Sequence, residues 1–458
     1  MLEQNLVKEV LNVALSTGLQ FAELFVESKT AFSAGIDNAK LERIRSGVDS
    51  GCGFRVIAAG KTYYGFVNSL LKEDMLDLAK RVSRLAVRTG QKKTIDFTRS
   101  VRLRSPSGAE VSGKTISEKI SILTDAEKSA RRFSKKICQV TARLAESRQK
   151  ILVANTDGVF STDERVRQRF FVQCIAKQGR DLQTGYESVG FTDGWGDFAQ
   201  SQASVLAETA AQRAQLLLSA DKAPAGTMPV ILSGEAGGTM IHEACGHALE
   251  ADFIFKKTSV FADTLGTQMF PHCVTIIDDG TLPNLYGSSF CDDEGALSQK
   301  NILIDQGRVA KFMNDRLYAG LLGQEFTGNG RRESYRYTPL PRMTNTYLAA
   351  GTDSPAKIIA SVEQGLFVKK LGGGQVDVTN GNFVFEITEG YLLKNGRLGQ
   401  PIRGATLVGN GLTVLKSIDM VGADLHFIPG ICGKGQSAPV SDGQPTVRIP
   451  SIIVGGQK

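Results

Sequence analysis

Apolar residues at Leu6, Val7, Val10, Leu11, Val13 and Ala14 fall on one stripe, so residues 2–17 are predicted as an amphipathic helix. The period then changes from helical to alternating. Residues 22–28, 32–36, 41–46, 51–57 and 62–67 read as strands, with Ala59-Gly60-Lys61 as a turn. A second helix fits 71–87, with Glu73, Asp74 and Asp77 near its start and arginines towards its end, which suits a helix dipole. Residues 89–114 are polar, basic and without period, the pattern of an excursion or linker. Beyond them the pattern predicts a helix over 117–133 and a meander of strands over 137–189. Turns at Asn155-Thr156-Asp157-Gly158 and Lys177-Gln178-Gly179 divide the meander. An alanine-rich helix over 198–218 closes this half.

Residues 220–229 hold two prolines and a glycine and make the best boundary. After them Val230-Ile231-Leu232 reads as a buried strand, leading through Gly234 and Gly237-Gly238 into a short helix. Short strands then alternate with glycine turns at 274–277, 302–304, 383–387, 391–393, 447–449 and 452–454, with no repeat of fixed period. A chain of 458 residues exceeds one ordinary core. The expected fold is therefore α+β in two domains. Residues 1–222 form a helix and antiparallel-sheet domain, and residues 223–458 a glycine-rich mixed β/α domain.

Composition narrows the function classes. With 41% hydrophobic and 22% charged residues the chain is an ordinary globular one, not a disordered one. The net charge of +7 is modest, and the basic runs over 80–104 and 131–136 have no interleaved aromatic platform. A nucleic-acid partner is not expected. Seven cysteines without paired spacing do not describe a disulfide framework. No leader of basic then apolar residues opens the sequence, and no apolar run approaches the roughly 20 residues that span a bilayer. The expected location is the cytoplasm, without membrane partners and with reduced thiols.

His242-Glu243-Ala244-Cys245-Gly246-His247 places two of the chain's four histidines and a carboxylate within six residues. Two neutral imidazoles can hold zinc, and a neighbouring Glu can take a proton from water that the metal activates. The spacing is five rather than the four of the familiar zinc-protease helix. On an ideal helix that puts the two side chains roughly 140° apart. The motif therefore predicts a distorted backbone at 244–247, a π-bulge or a helix end, which Gly246 would tolerate. A buried, hydrogen-bonded histidine pair without metal is the plain alternative. Candidates for a third ligand are Cys245, His272, Cys273, Cys291, His426, Cys432 and several carboxylates. Cys245 reads as a small buried thiol facing away, and His272 and Cys273 as strand-entry residues. Cys291 precedes Asp292-Asp293-Glu294, a loop better suited to a hard cation. Cys432 sits among glycines with Lys434 nearby to favour its thiolate, and a His, His, Cys set would leave the fourth position of a catalytic zinc open. Cys432 is the best candidate, against the alternative of a loop cysteine with no task.

The chain resembles the TldD/PmbA metallopeptidase family, in its motif-bearing TldD-type branch. The likeness runs from Ala22-Glu23-Leu24-Phe25-Val26-Glu27 through the histidine motif to Cys432-Gly433-Lys434. Between them lie Asp292-Asp293-Glu294-Gly295, Gly328-Asn329-Gly330-Arg331-Arg332-Glu333-Ser334-Tyr335, Pro341-Arg342-Met343-Thr344-Asn345-Thr346 and Gly372-Gly373-Gly374-Gln375-Val376-Asp377. The resemblance implies a Zn2+ ion held by His242, His247 and Cys432, with Glu243 as catalytic base. It implies cleavage of unfolded or modified peptides and small proteins. It also implies a homodimer, or a heterodimer with a motif-less TldE/PmbA-type paralogue. Arg331 and Arg332 could hold a substrate carboxylate or simply pack. Residues 372–378 could pair with an extended peptide or form an ordinary glycine turn. The rival function is a metal-stabilised, non-catalytic binding protein that modulates gyrase or nucleic acid, which would need a closed four-ligand site. No Gly-x-Ser-x-Gly elbow supports a serine hydrolase.

Overall fold

Strand segments that read as separate in the sequence run together in the computed structural model, which describes residues 2–19, 21–87, 94–97, 114–192, 194–195, 198, 200–377 and 379–456. The first half contains α1 (Gln4–Ser16), β1 (Phe21–Asp37), β2 (Lys40–Ala58), β3 (Lys61–Val67) and α2 (Lys72–Leu85). It continues with α3 (Ile116–Phe133), β4 (Ile137–Asn155), β5 (Phe160–Gln178), β6 (Asp181–Phe191) and α4 (Gln200–Leu218). β1 and β2 each join two of the predicted strands. The join in β2 was illegible because residues 47–49 are exposed and Gly47-Val48-Asp49-Ser50 shows no apolar alternation. Most of the predicted excursion at 89–114 lies outside the described residues. Ile95 and Phe97 within it are buried against the first core.

The six strands form one antiparallel sheet in the order β3-β2-β1-β4-β5-β6. Alternate residues of β1 point to the helical side. Ala22, Leu24 and Val26 meet the stripe Val7, Val10, Leu11 of α1 and Met75, Leu78, Val82 of α2. Phe32, Ala34 and Ile36 join the core beneath α3 and α4. Each fully buried leucine-sized side chain contributes about 1.5–3 kcal/mol. A capping box starts α3: Thr115 Oγ1 accepts from the Glu118 N–H, and the Thr115 N–H donates to the Glu118 carboxylate.

The other face of this sheet is divided. Near the start of β1, Phe25, with Ile151 and Val153 of β4, packs on Cys291 and Tyr335 of the second half. Buried ion pairs surround that contact: Arg55 with Glu294, Arg332 with Glu23 at 2.6 Å, and Arg165 with Asp163 at 2.9 Å and Asp293 at 2.5 Å. The far end of the same face, around Ser33 and Gly35, is open.

The second half has two larger sheets around one core. In the first, 364–376, 226–232, 447–455, 405–410 and 382–394 lie side by side, and pairing of 364–376 with 382–394 closes them into a ring. Strands 397–403 and 221–222 extend it, so the predicted boundary at 220–229 is itself part of the sheet. The second sheet has six strands, ending in the hairpin of His426–Gly433 and Ser437–Gln444. The histidine segment runs through the core between them, with Met240, Ile241 and Cys245 buried against Cys432 and Val440. Among the described residues no helix is long and apolar enough to cross a membrane.

Candidate metal centre

The motif backbone is distorted as its spacing requires. After one helical turn at Thr239–Ile241, residues His242–Gly246 form a π-helical turn in which the His247 N–H donates to the His242 carbonyl. This wider winding brings residue 247 round to the face of residue 242. The turn then tightens into a 3-10 segment over His247–Leu249. Two glycines permit this path. Gly238 opens it at φ +60°, with the neighbouring hairpin so close that a Cβ would stand 2.4 Å from the Gly443 nitrogen. Gly246 has an ordinary φ of −53°, so it is not there for backbone freedom. A Cβ on it would lie 2.2 Å from Met343 Sδ, and close packing is the reason for the glycine.

The hairpin supplies the sulfur. Cys432 pairs with Ala438, and Ile428, four residues earlier, pairs with Asp442. The side-chain period of two therefore sets Cys432 and Asp442 on one face. His242 Nε2 lies 3.2 Å from Cys432 Sγ, and His247 Nε2 lies 3.3 Å from it. The rings stand nearly perpendicular at 89°, with centroids 5.0 Å apart. The three donor atoms lie within 4.8 Å of one another and all three residues are buried. No other described His, Cys, Asp or Glu joins that group.

The outer nitrogens are fixed by carboxylates. His242 Nδ1–H donates to Asp442 Oδ1 at 2.6 Å, and His247 Nδ1–H to Glu250 Oε2 at 3.2 Å. With each Nδ1 engaged by a carboxylate, both Nε2 atoms face the sulfur. Burial lowers the pKa of both imidazoles, but the carboxylates outweigh it: His242 is raised well above its usual value and His247 to about 9. Glu250 is fully buried, which raises its pKa. His247 and Lys434 reverse that and hold it at about 2. Burial likewise raises the Cys432 thiol, and hydrogen bonds from His242 and His247 bring it down to about 5. The thiolate is thus stabilised by the imidazoles. Lys434, the residue expected to do so, reaches instead to Glu250 at 2.8 Å and Asp252 at 2.6 Å.

These residues fit a zinc ion. Zn–N near 2.0–2.1 Å and Zn–S near 2.3 Å in a tetrahedral site require N···S separations of about 3.5 Å. The observed 3.2 and 3.3 Å need only a slight opening. Glu243, beside His242, is half-buried, and burial raises its pKa against the lowering effect of the two rings. No hydrogen bond engages its carboxylate among the described residues.

The other sequence candidates are placed elsewhere. Cys245 is buried in the apolar core, which raises its thiol pKa. His272 and Cys273 are exposed, in the turn before the strand Ile276–Asp279. His426 is exposed at the start of the hairpin. The Asp292-Asp293-Glu294 loop is no open cation site: the Arg165 and Arg55 guanidinium groups and the Arg332 N–H occupy the carboxylates of Asp293 and Glu294, with backbone N–H groups on Asp292. Arg331 packs, donating to the carbonyls of Met343 and Pro439 at the latter by 2.7 Å, and Arg332 is held by Glu23 and Asp293. Residues 372–376 belong to a strand whose inner side pairs with 382–394, and residue 378 lies outside the described residues.

Sequence reasoning missed Asp442, Glu250 and Arg342. Glu250 follows His247 by three residues, a spacing that could have revealed it. Asp442 and Arg342 gave no such signal. Arg342, fully buried, donates to the Cys432 carbonyl at 2.7 Å and the Gln436 carbonyl at 2.9 Å, which pins the loop that carries the sulfur.

The PmbA/TldA metallopeptidase domain models match residues 22–86 as domain 1, 110–218 as the central domain and 225–456 as the C-terminal domain. A metalloprotease TldD homolog of Buchnera aphidicola is 37% identical, with 96% of this chain and 93% of that protein covered. One of Haemophilus influenzae is 34% identical, with 98% and 95% covered. The structure of TldE from Thermococcus kodakarensis superposes with a TM-score of 0.79 at 17% identity, covering 98% of this chain and all of that one. A Thermotoga maritima structure labelled as a modulator of a DNA gyrase gives 0.83 at 19% identity, covering 99% and 100%. Those two likenesses speak for a shared mixed α/β fold. With the domain models spanning the chain and relatives above 30% identity along nearly its whole length, the chain belongs to the PmbA/TldA metallopeptidase family.

Proposed function

We propose that the chain is a zinc-dependent peptidase that hydrolyses peptide bonds in unfolded or modified peptides and small proteins. His242, His247 and Cys432 would hold the metal, and Glu243 would act as general base. The observation that carries this reading is the convergence of two imidazoles and a thiol, 185 and 190 residues apart in sequence, beside an unengaged carboxylate. When bound, zinc supplies Lewis acidity, which lowers the pKa of water and polarises a carbonyl. Glu243 takes the proton of the attacking water and delivers it to the leaving amine. Its raised pKa moves it towards the range where a carboxylate does both. Asp442 and Glu250 orient the rings, and Arg342 holds the sulfur loop.

Relatives named as metalloproteases support the reading, as does a donor group of three rather than four, which leaves a position for water. A purely structural zinc is not favoured, since His426 stays outside the group. We assign 1–222 and 223–458 as the two domains, and a second copy or a TldE-type chain as the partner. Seven free cysteines suit a reducing cytoplasm. The test is to incubate the metal-loaded protein, with and without a TldE-type chain, against an unfolded peptide library and read cut sites by mass spectrometry. Metal-dependent cuts are expected. Cutting that persists undiminished in chelator would overturn the proposal.

A further inference from the structure

The open half of the first sheet's outer face holds a trench of about 830 Å³ with an unusual charge distribution. Its centre is floored by small residues. β1 contributes Gly35, Ser33 and Ala31, and β4 places Arg143, Ala145 and Ser147 directly opposite them. On the β2 side, Arg43 pairs with Gly35 and Arg45 with Ser33. On the β5 side, Arg169 pairs with Ala145 and Phe171 with Arg143. Residues directly opposite in an antiparallel sheet share a face, so these arginines line the same trench. A smaller hollow of about 450 Å³ continues it past Ala31 and Ser147 to Lys29.

None of the four guanidinium groups of Arg43, Arg45, Arg143 and Arg169 forms an ion pair or hydrogen bond with a described residue. That contrasts with the arginines at the other end of the same face, where Arg55, Arg165 and Arg332 are consumed by acids. Of the two acids that line the trench and hollow, Glu146 gives its carboxylate to Lys119 and Trp195, which leaves Glu42. Four unpaired like charges around an uncharged floor repel one another, and an anionic occupant relieves that repulsion.

We propose that this trench binds acidic stretches of an extended polypeptide and so selects acidic peptides for the site described above. The proposal deepens the peptidase reading and rests on it. Three features favour a peptide. Arginine rows two residues apart along the strands recur at roughly 7 Å, the separation of alternate side chains in an extended chain. An Asp/Glu-x-Asp/Glu pattern thus meets the rows in register. The lining aromatics, Phe171 in the trench and Phe32 and Tyr286 in the hollow, come from three separate segments and make no stacking ladder for bases. Finally, the row Arg45, Ser33, Ala145, Arg169 ends at Gly190 of β6. Gly190 packs so closely on Pro429 that a Cβ would lie 2.8 Å from it. Pro429 precedes Cys432 by three residues on one strand, a distance of about 10 Å. The β6 flank of the trench therefore lies beside the strand that carries the sulfur.

The test uses the full chain carrying Glu243→Gln, so that bound peptide is not consumed. Fluorescence anisotropy would compare a labelled peptide alternating Glu and Ser with its Gln-Ser and Lys-Ser counterparts, and with single-stranded DNA of equal charge. The acidic peptide should bind best, and its affinity should fall between 50 and 300 mM salt, as the Debye length shrinks below roughly 10 Å. Arg43→Glu with Arg169→Glu should weaken it by roughly tenfold or more. The same reversal in the otherwise native protein should leave metal content and cleavage of a short uncharged peptide unchanged. Equal affinity for the Glu and Gln peptides would overturn the proposal, as would tighter binding of the DNA. Failure of the native protein to cut any peptide would defeat the peptidase reading while the anisotropy comparison still decides the trench.

Discussion

The cluster at His242, His247 and Cys432 and the acidic loop at Asp292-Asp293-Glu294 both look, in sequence, like places for a cation. In the folded chain they are opposites. At the first, hydrogen-bond partners lie behind the donors: Asp442 and Glu250 take the outer nitrogens, and the inner nitrogens converge on the sulfur. At the second, partners lie in front. Arg55 and Arg165 arrive from other strands, the Arg332 N–H joins them, and together they fill the space a cation would need. A chemically apt string becomes a candidate metal site only when its partners approach from behind.

The largest expected effect sharpens the first half of this contrast. Glu243→Gln should lower peptide turnover by roughly 10²–10⁴-fold, as loss of a general base does, while elemental analysis finds metal content unchanged. Retained turnover would remove Glu243 from the chemistry. Next, Arg332→Ala should lower stability by about 3–5 kcal/mol, because it leaves Glu23 buried without its ion-pair partner. A denaturant titration reads this directly. If the acidic loop of that variant instead gained stability from Ca2+ or Mg2+, the loop would be a masked cation site after all.

A third prediction concerns pH. Burial, with Glu294 beside it, pushes the Asp315 carboxyl up to about 7, against the opposing pull of Arg55. A folded-state pKa above the unfolded value means stability is fully present below about pH 4 and is lost as pH rises through 7. Over pH 5 to 8 this loss is about 3 kcal/mol at 1.36 kcal/mol per unit. Asp315→Asn keeps a side-chain acceptor for the Tyr318 N–H and should flatten that part of the melting-temperature profile. An unchanged profile would show that Asp315 is not the group responsible.

The smallest effect probes the partners behind the donors. Asp442→Ala should weaken zinc affinity by roughly 10–100-fold without removing a ligand, measured by competition with a chelating dye. Unchanged affinity would mean the His242 ring is held by packing alone.

Much of the helix and strand content was legible, because Val7, Val10 and Leu11 or Ala22, Leu24 and Val26 carry their period openly. The distortion at His242–Gly246 was also legible, since spacing of five conflicts with a regular helix. The divided sheet face was not. Whether Glu23 meets Arg332 or water depends on a residue 309 positions away. Arg342 was illegible for a related reason: it acts on backbone carbonyls, which carry no sequence signature. Lys434 was read from proximity in sequence to Cys432, whereas the hairpin turn directs its ammonium to Glu250 and Asp252.

X-ray absorption at the zinc edge of the metal-loaded protein tests the central claim most directly. The account predicts one sulfur at about 2.3 Å and two imidazole nitrogens at about 2.0–2.1 Å, with the sulfur signal lost in Cys432→Ala. A first shell without sulfur in the native protein would contradict it.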